Sequence, residues 1–392
     1  MRVIGMISGT SFDAVEALLA DISQDGSTLR CELVEHRSVS YPRATREGIA
    51  AILPPASTTV EQVCRLDVAI GQFFGQVAGE MTDRHGPVDV VCSHGQTVYH
   101  WVDGATALGT LQLGEAAWIA HRTGAAVVSD VRNRDIANGG HGAPLASLLD
   151  VLLLGSRPQV ACASLNLGGI ANATVLQPGH EPVAFDIGPA NALLDAAVCW
   201  VTDGQQSYDR GGALARRGQL VAGLVERLLD DPFYGLAPPK STGKERFNLA
   251  YLKQRVGDEQ LRPEDLLASV TAAAAESIAR ALRPFGLHDL VLAGGGTRNP
   301  RLMSELAVRL PGVPTRLIDE LGVPEAAKEA LLFAIIGFLT LHNLPATVPS
   351  CTGAARASVL GSVTPGRGPL LLRPAQGATV PTRLVIEPVP AR

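Results

Sequence analysis

Residues 161–176, ACASLNLGGIANATVL, run apolar, break at Gly168-Gly169 and resume to close on Thr174-Val175-Leu176. Two β-prone runs split by a glycine pair predict a hairpin. The chain opens on the same plan. Residues 3–20, VIGMISGTSFDAVEALLA, run apolar, break at Gly9-Thr10-Ser11 and resume after Asp13, so Gly9-Thr10 takes the role that Gly168-Gly169 has later. The match predicts an internal duplication in which each half starts as strand, turn, strand, the second half beginning between residues 130 and 160. Ala14–Ala20 is rich in Ala, Leu and Glu and has helical propensity; the hairpin analogy makes it a strand, and we follow the analogy.

Between the two hairpins the pattern alternates. From Val63, the apolar residues Leu66, Ile70, Phe73, Val77 and Met81 recur at threes and fours and predict an amphipathic helix. Val88–Cys92 is a short β-branched run, read as a buried parallel strand that delivers Ser93-His94-Gly95 at its carboxyl end, and a second cycle closes on VVSDVRNRD, residues 127–135. Beyond the second hairpin, Pro263–Leu282 reads as a helix with Leu266, Val270, Ala274, Ile278 and Leu282 on one face. A strand then runs into Gly294-Gly295-Gly296, and a helix follows with Asn299 as cap and Pro300 in its first turn. Alternating strands and helices imply an α/β architecture. The expected domains are 1–129 and 130–363, with a Pro/Gly-rich tail over 364–392.

Composition narrows the function classes. The 392 residues are enough for two cores, and 46% hydrophobic with 18% charged residues, 41 Gly and 26 Pro describes a globular chain with many turns. A net charge of −5 without a basic stripe argues against nucleic acid as a partner. The cysteines at 31, 64, 92, 162, 199 and 351 show no paired spacing for a zinc site and read as reduced, mostly buried thiols. The N-terminus lacks the pattern of a signal peptide, and the longest apolar run, Leu331–Leu341, is shorter than the ~18 residues that a bilayer requires. The expectation is a cytoplasmic protein, no membrane partner and a core helix at 331–341.

Three glycine turns, at Gly9, Gly168-Gly169 and Gly294–Gly296, each follow a strand. Glycine there lets backbone N–H groups approach an anion closely, and two opposed hairpin turns can hold a polyphosphate. STGKE at 241–245 is no Walker A loop, because it lacks the upstream Gly and the Ser/Thr after Lys. A wider set of segments then carries a resemblance: SGTSFDAVE (8–16), CSHGQTVYH (92–100), LQLGE (111–115), SDVRNRDIANGGHGAPL (129–145), LNLGGIAN (165–172), FDIGPANALLD (185–195), STGKERFN (241–248), AGGGTRNP (293–300) and KEALLFA (328–334). In order and number these resemble the anhydro-N-acetylmuramic acid kinase family over residues 3–363.

The resemblance implies a two-domain actin-like/sugar-kinase fold of the ribonuclease H-like type with a duplicated core, the use of ATP and Mg²⁺, and a homodimer. It also implies the reaction: water opens the 1,6-anhydro bridge of 1,6-anhydro-N-acetylmuramic acid while O6 takes the phosphoryl group, a step of peptidoglycan recycling. Asp186 matches the general base. Ser8, Gly9, Thr10, Ser11, Gly168, Gly169 and Gly294–Gly296 match the nucleotide and phosphate turns, the last glycines against adenosine, and Asp13 matches the acid that holds Mg²⁺ through water. Gln96, Thr97 and His100, expected on the loop after the Val88 strand, with Arg132, Asn191 and Glu329, match the sugar set. Arg132 suits either the lactyl carboxylate or developing phosphate charge. His94 and His141 are expected to serve structure rather than catalysis. The chain departs from the family pattern at Ala14, Glu16, His141 and Ile187, where Gly, Asp, Gln and Thr are usual, which leaves the sugar's identity more open than the use of ATP. Two other readings stay open: a kinase of a levoglucosan-like anhydrosugar, and a non-catalytic actin-like nucleotide-binding protein.

Overall fold

The computed structural model describes residues 1–104, 106–156, 158–370 and 379–388. The chain divides into two compact units, Met1–Gly155 with Leu321–Arg392, and Ser156–Glu320.

In the first unit β1 (Arg2–Ser8), β2 (Ala14–Asp25) and β3 (Thr28–Ser40) form an antiparallel meander, and β4 (Val90–Asp103) and β6 (Ala126–Ser129) add in parallel on the far side of β1. β5 (Thr106–Leu113) folds back on the outer half of β4. The order is β6-β4-β1-β2-β3. Ala14–Ala20 lies in β2, as the hairpin analogy requires; pairing on both edges, with β1 and β3, overrides its helical propensity. One sheet face packs on the helix Val60–His85, where Ile4, Met6, Val15 and Leu19 meet Ile70, Phe74 and Met81. That helix starts at a capping box of Thr59 and Gln62. The other face carries the helix Lys328–Leu341, which lies so close that a Cβ on Gly5 would stand 2.0 Å from the Ala330 carbonyl oxygen.

The second unit repeats the plan. β7 (Cys162–Leu167), β8 (Ile170–Leu176) and β9 (Val183–Pro189) form the meander, and β10 (Asp289–Ala293) and β11 (Thr315–Leu317) add in parallel beside β7. The order β11-β10-β7-β8-β9 reproduces that of the first unit, so the duplicated α/β core is present strand for strand. Helix Pro263–Leu282 buries Ala274, Ile278 and Leu282 against this sheet. Asn299 caps the helix Pro300–Arg309 through its side-chain oxygen, which accepts from Arg301 and Leu302 N–H.

Three expectations need correction. The boundary falls after Gly155, not at 129/130, and the chain re-enters the first unit at Leu321. The reason is local: Lys328 at the head of the apolar helix forms a buried ion pair with Asp150 at 2.8 Å, and the Thr352 hydroxyl donates to Asp135 at 2.7 Å, so 130–155 and 321–363 hold each other. The stretch 364–392 is no mere appendage, because Arg383–Glu387 pairs in parallel with β3; residues 371–378 and 389–392 lie outside the described ones. Gln96, Thr97 and His100 stand on the continuing strand β4 rather than on a loop, because β5 pairs with that extension. Four of the six cysteines are buried; Cys64 and Cys199 are exposed. Among the described residues no helix is long and apolar enough to cross a membrane.

Candidate active site

In the first unit, β1 ends at Ser8 and the chain turns through Gly9-Thr10-Ser11, with Phe12 N–H donating to the Gly9 carbonyl at 3.1 Å. Phe12 sits at φ 43°, the left-handed region that a non-glycine residue seldom occupies. Thr10, Ser11 and Asp13 are exposed, and the Asp13 carboxylate makes no hydrogen bond or ion pair among the described residues. Ser8 and Gln96 are each 1% exposed and brace the turn from beneath. The Ser8 hydroxyl donates to Gln96 Oε1 at 2.5 Å, and Gln96 Nε2 donates to the Gly9 carbonyl at 3.3 Å and to the Thr97 carbonyl at 3.1 Å. Gln96 therefore ties β1 to β4, and meeting a sugar would require exchange of these bonds. Thr97 Oγ1 accepts from Gln112 Nε2 at 3.0 Å, and His100 stands exposed farther along β4.

Arg132 is the centre of a second group. Its Nε donates to His94 Nε2 at 2.8 Å and its Nη1 to the Gly142 carbonyl at 2.7 Å, while Nη2 has no partner among the described residues. A guanidinium only donates, so His94 Nε2 must be the lone-pair nitrogen and its proton sits on Nδ1, which donates to the Gly95 carbonyl at 3.0 Å. Burial, reinforced by the Arg132 charge, pushes His94 down to about 3, which keeps it neutral. Its ring packs 4.8 Å from Phe333 on the apolar helix. Gly142 is held in turn by fully buried Asp135, which accepts its N–H at 2.7 Å. Burial lowers Arg132, while Glu329 and Asp135 oppose that shift. Crowding by protein, even at its solvent-open position, raises the Glu329 carboxyl; Lys328 and Arg132 oppose the rise and Glu16 adds to it. The group offers one free, oriented donor edge to an anion.

In the second unit Asp186 stands in the middle of β9. Its N–H donates to the Lys240 carbonyl at 2.9 Å and its Oδ2 accepts from Thr242 N–H at 2.9 Å, while Oδ1 has no partner among the described residues. Burial raises this carboxyl, the Thr242 bond opposes the rise and Glu245 adds to it. Nothing local in STGKERFN marks Thr242 or Lys244 for these positions. Lys244 lies by the second glycine turn, where a Cβ on Gly169 would stand 3.1 Å from its Cε. Lys244 also opposes the effect of burial on Asp195, whose carboxyl rises to about 6.

The Gly168 and Gly169 carbonyls accept from the N–H groups of Ala190, Asn191 and Ala192 at 2.9–3.1 Å, and Asn191 Nδ2 donates to the Leu167 carbonyl at 2.9 Å. Asn191 thus binds hairpin to helix. Of the three later glycines, Gly294 sits at φ 88°, where a Cβ would meet Asn166 Oδ1 at 2.5 Å, and a Cβ on Gly296 would meet Leu167 Cβ at 2.7 Å. Both are small so that strand ends can approach. Only Gly295 is open to solvent.

Residues 1–366 match the family model described as anhydro-N-acetylmuramic acid kinase. The chain belongs to the anhydro-N-acetylmuramic acid kinase family. Relatives carrying that name include one from Streptomyces coelicolor, 52% identical over 95% of this chain and 96% of its own length. Another, from Rhodococcus erythropolis, is 49% identical over 93% of this chain and 94% of its own. A third, from Streptomyces avermitilis, is 49% identical over 99% of this chain and the whole of its own.

Against the kinase family pattern, three of the four departures now have places. Glu16 accepts from His36 Nε2 at 2.8 Å and from Ser38 Oγ at 2.5 Å, so its longer side chain is tied across β2 and β3. Ile187 is buried in the second unit's core, on the opposite face of β9 from its neighbour Asp186. His141 donates its backbone N–H to the Thr352 carbonyl at 2.9 Å, and with Arg132 it adds to the desolvation that lowers His100. Because His94 stays neutral, it supplies no ionisation between pH 5 and 8. His94→Gln keeps an acceptor for Arg132, and its kcat/KM profile should retain the wild-type acid limb; loss of a limb near 6.5 in this variant would contradict the neutral state of His94.

Proposed function

We propose that the protein uses ATP to convert 1,6-anhydro-N-acetylmuramic acid and water into N-acetylmuramic acid 6-phosphate and ADP. Water adds to C1, the C1–O6 bond breaks, and O6 takes the γ-phosphoryl group. Asp186 accepts the proton that water gives up. The observation that carries this reading is the Asp186 carboxylate, with Oδ2 fixed by Thr242 N–H, Oδ1 free, and a pKa raised by burial. A base so placed is held in one orientation and accepts a proton more readily than an ordinary surface carboxylate.

The residues fit the remaining tasks. Arg132 offers Nη2 to an anionic group of the sugar or phosphate, with Glu329 close enough to temper its charge. The turn Gly9-Thr10-Ser11 offers exposed hydroxyls and backbone to phosphate oxygens, and Gly168-Gly169 offers backbone, with the Lys244 cation beside it. Among the described residues no three His, Cys, Asp or Glu side chains converge on a metal position. The exposed, unpartnered Asp13 therefore suits a Mg²⁺ ion held through water and the nucleotide's own oxygens. Such an ion offsets phosphate charge.

ADP release measured with 1,6-anhydro-N-acetylmuramic acid, with levoglucosan and without sugar tests the reading. The anhydro amino sugar should stimulate release strongly and levoglucosan should not. Equal stimulation by levoglucosan overturns the sugar assignment, and no stimulation by any sugar overturns the kinase reading.

A further inference from the structure

The second unit holds a cavity of about 650 Å³ that none of the residues assigned above lines with its side chain. Its apolar wall is Phe185, Ile187, Tyr234, Leu236 and Phe285, with the rings of Phe185 and Phe285 stacked at 5.9 Å. The volume is that of a small-molecule site. Of the charged groups around it, Asp230 and Asp231 are paired with Arg255 and Arg246, and Arg280 with Glu276. Lys240 differs. Its half-buried ammonium donates to the carbonyls of Phe233 at 3.1 Å and Tyr234 at 3.4 Å and lies 4.5 Å from the Phe233 ring centroid, with no carboxylate partner among the described residues. Burial lowers its pKa, as expected for a cation without a counter-ion. A flat apolar wall and one uncompensated cation specify a ligand with an aromatic body and a single carboxylate.

The cavity also backs onto Asp186. Phe185 and Ile187 are its neighbours on β9, and their side chains point to the opposite face. Lys240, whose side chain lines the cavity, gives its carbonyl to the Asp186 N–H, and Thr242, two residues on, holds Oδ2. Tyr234 packs where a Cβ on Gly188 would stand 2.8 Å from its ring, so the segment also presses on the strand's far end. We propose that this cavity is an effector site for a small aromatic carboxylate, which alters turnover by shifting the 234–242 segment that orients Asp186. The effect on turnover rests on the reading of Asp186 as the base.

The full chain is titrated with 3-phenylpropanoate and with its neutral amide, followed by ligand-observed NMR and by kcat. The carboxylate should bind saturably, at least ~10-fold more tightly than the amide and than to Lys240→Met, in keeping with a lost charge-assisted bond. Ala281→Trp, which fills the cavity from its wall, should abolish binding, and a non-hydrolysable ATP analogue should leave it unchanged. Saturating probe should change kcat of the parent chain but not of Ala281→Trp. Equal binding of acid and amide, binding retained by Ala281→Trp, displacement by the nucleotide analogue, or binding with kcat unchanged would each overturn the proposal. Should Asp186→Asn keep its turnover, the base assignment fails while the binding outcomes still stand or fall by themselves; should it be inactive and the probe not bind, the cavity proposal alone fails.

Discussion

Asp186→Asn should fold as the parent chain does and lose at least ~100-fold in kcat for the sugar-dependent release of ADP. The substitution is nearly isosteric, and the Asn amide oxygen can still accept from Thr242 N–H, while the backbone bond to the Lys240 carbonyl is untouched. What disappears is the negative charge that receives a proton. Positioned proton transfer contributes about 10²–10⁴-fold, which sets the scale of the loss. Because burial raises this carboxyl, the parent enzyme's acid limb should lie above the ordinary aspartate value, and activity should fall with decreasing pH as Asp186 takes up a proton. Circular dichroism and steady-state kinetics on one preparation check both halves. Turnover within a few fold of the parent would remove Asp186 from the reaction.

Gly5→Ala should destabilise the chain by about 3 kcal/mol or more, at the upper end of what overpacking costs. An added Cβ at Gly5 would stand 2.0 Å from the Ala330 carbonyl oxygen and 2.3 Å from the Ala334 nitrogen. Both are backbone atoms of the helix Lys328–Leu341, so no side-chain rotation relieves the clash and the helix itself must lift. That helix carries Phe333 against the His94 ring, the Lys328–Asp150 ion pair and Glu329, so lifting it should impair the Arg132 group as well. Gly368→Ala serves as control, since nothing lies within 4 Å of its added Cβ. Denaturant unfolding of the two variants measures the difference; equal stability would contradict the packing of this helix on β1.

Much of the architecture was legible because each half announces itself locally. An apolar run, a small-residue turn and a second run mark the hairpins at 3–20 and 161–176, and the threes-and-fours spacing after Val63 marks the helix Val60–His85. Asn299-Pro300 marked a helix start that the cap geometry shares. What escaped is information stored in pairs distant along the chain. The helix at 328–341 is apolar on every side, and such a helix carries no signal of which sheet it covers, so nothing local showed that the chain returns to the first unit after Glu320. Arg383–Glu387, RLVIE, has a β-branched centre between charges, a strand signal hidden by the Pro- and Gly-rich residues before it.

The candidate site divides in the same way. Glycines and acids were visible as residue types, but their partners were not: Thr242 reaches Asp186 from 56 positions away, and Arg132 meets His94 across 38. The family resemblance places Gln96 among the sugar contacts, while its burial and its bonds to Ser8 and Gly9 are partners that HGQT does not announce. Gly294 and Gly296 read as part of a nucleotide turn, and the close approach of Asn166 and Leu167, which also requires glycine at both, is not visible in the local sequence.

In the proposed reaction one catalytic event joins ring opening to phosphoryl transfer. The substrate's C1 is locked in the anhydro bridge and has no reducing end, whereas the product has one. Reducing ends and ADP, counted in the same reaction as the anhydro amino sugar is consumed, should appear one for one from the first turnover. ADP formed without reducing ends, or reducing ends formed without ADP, would contradict the account.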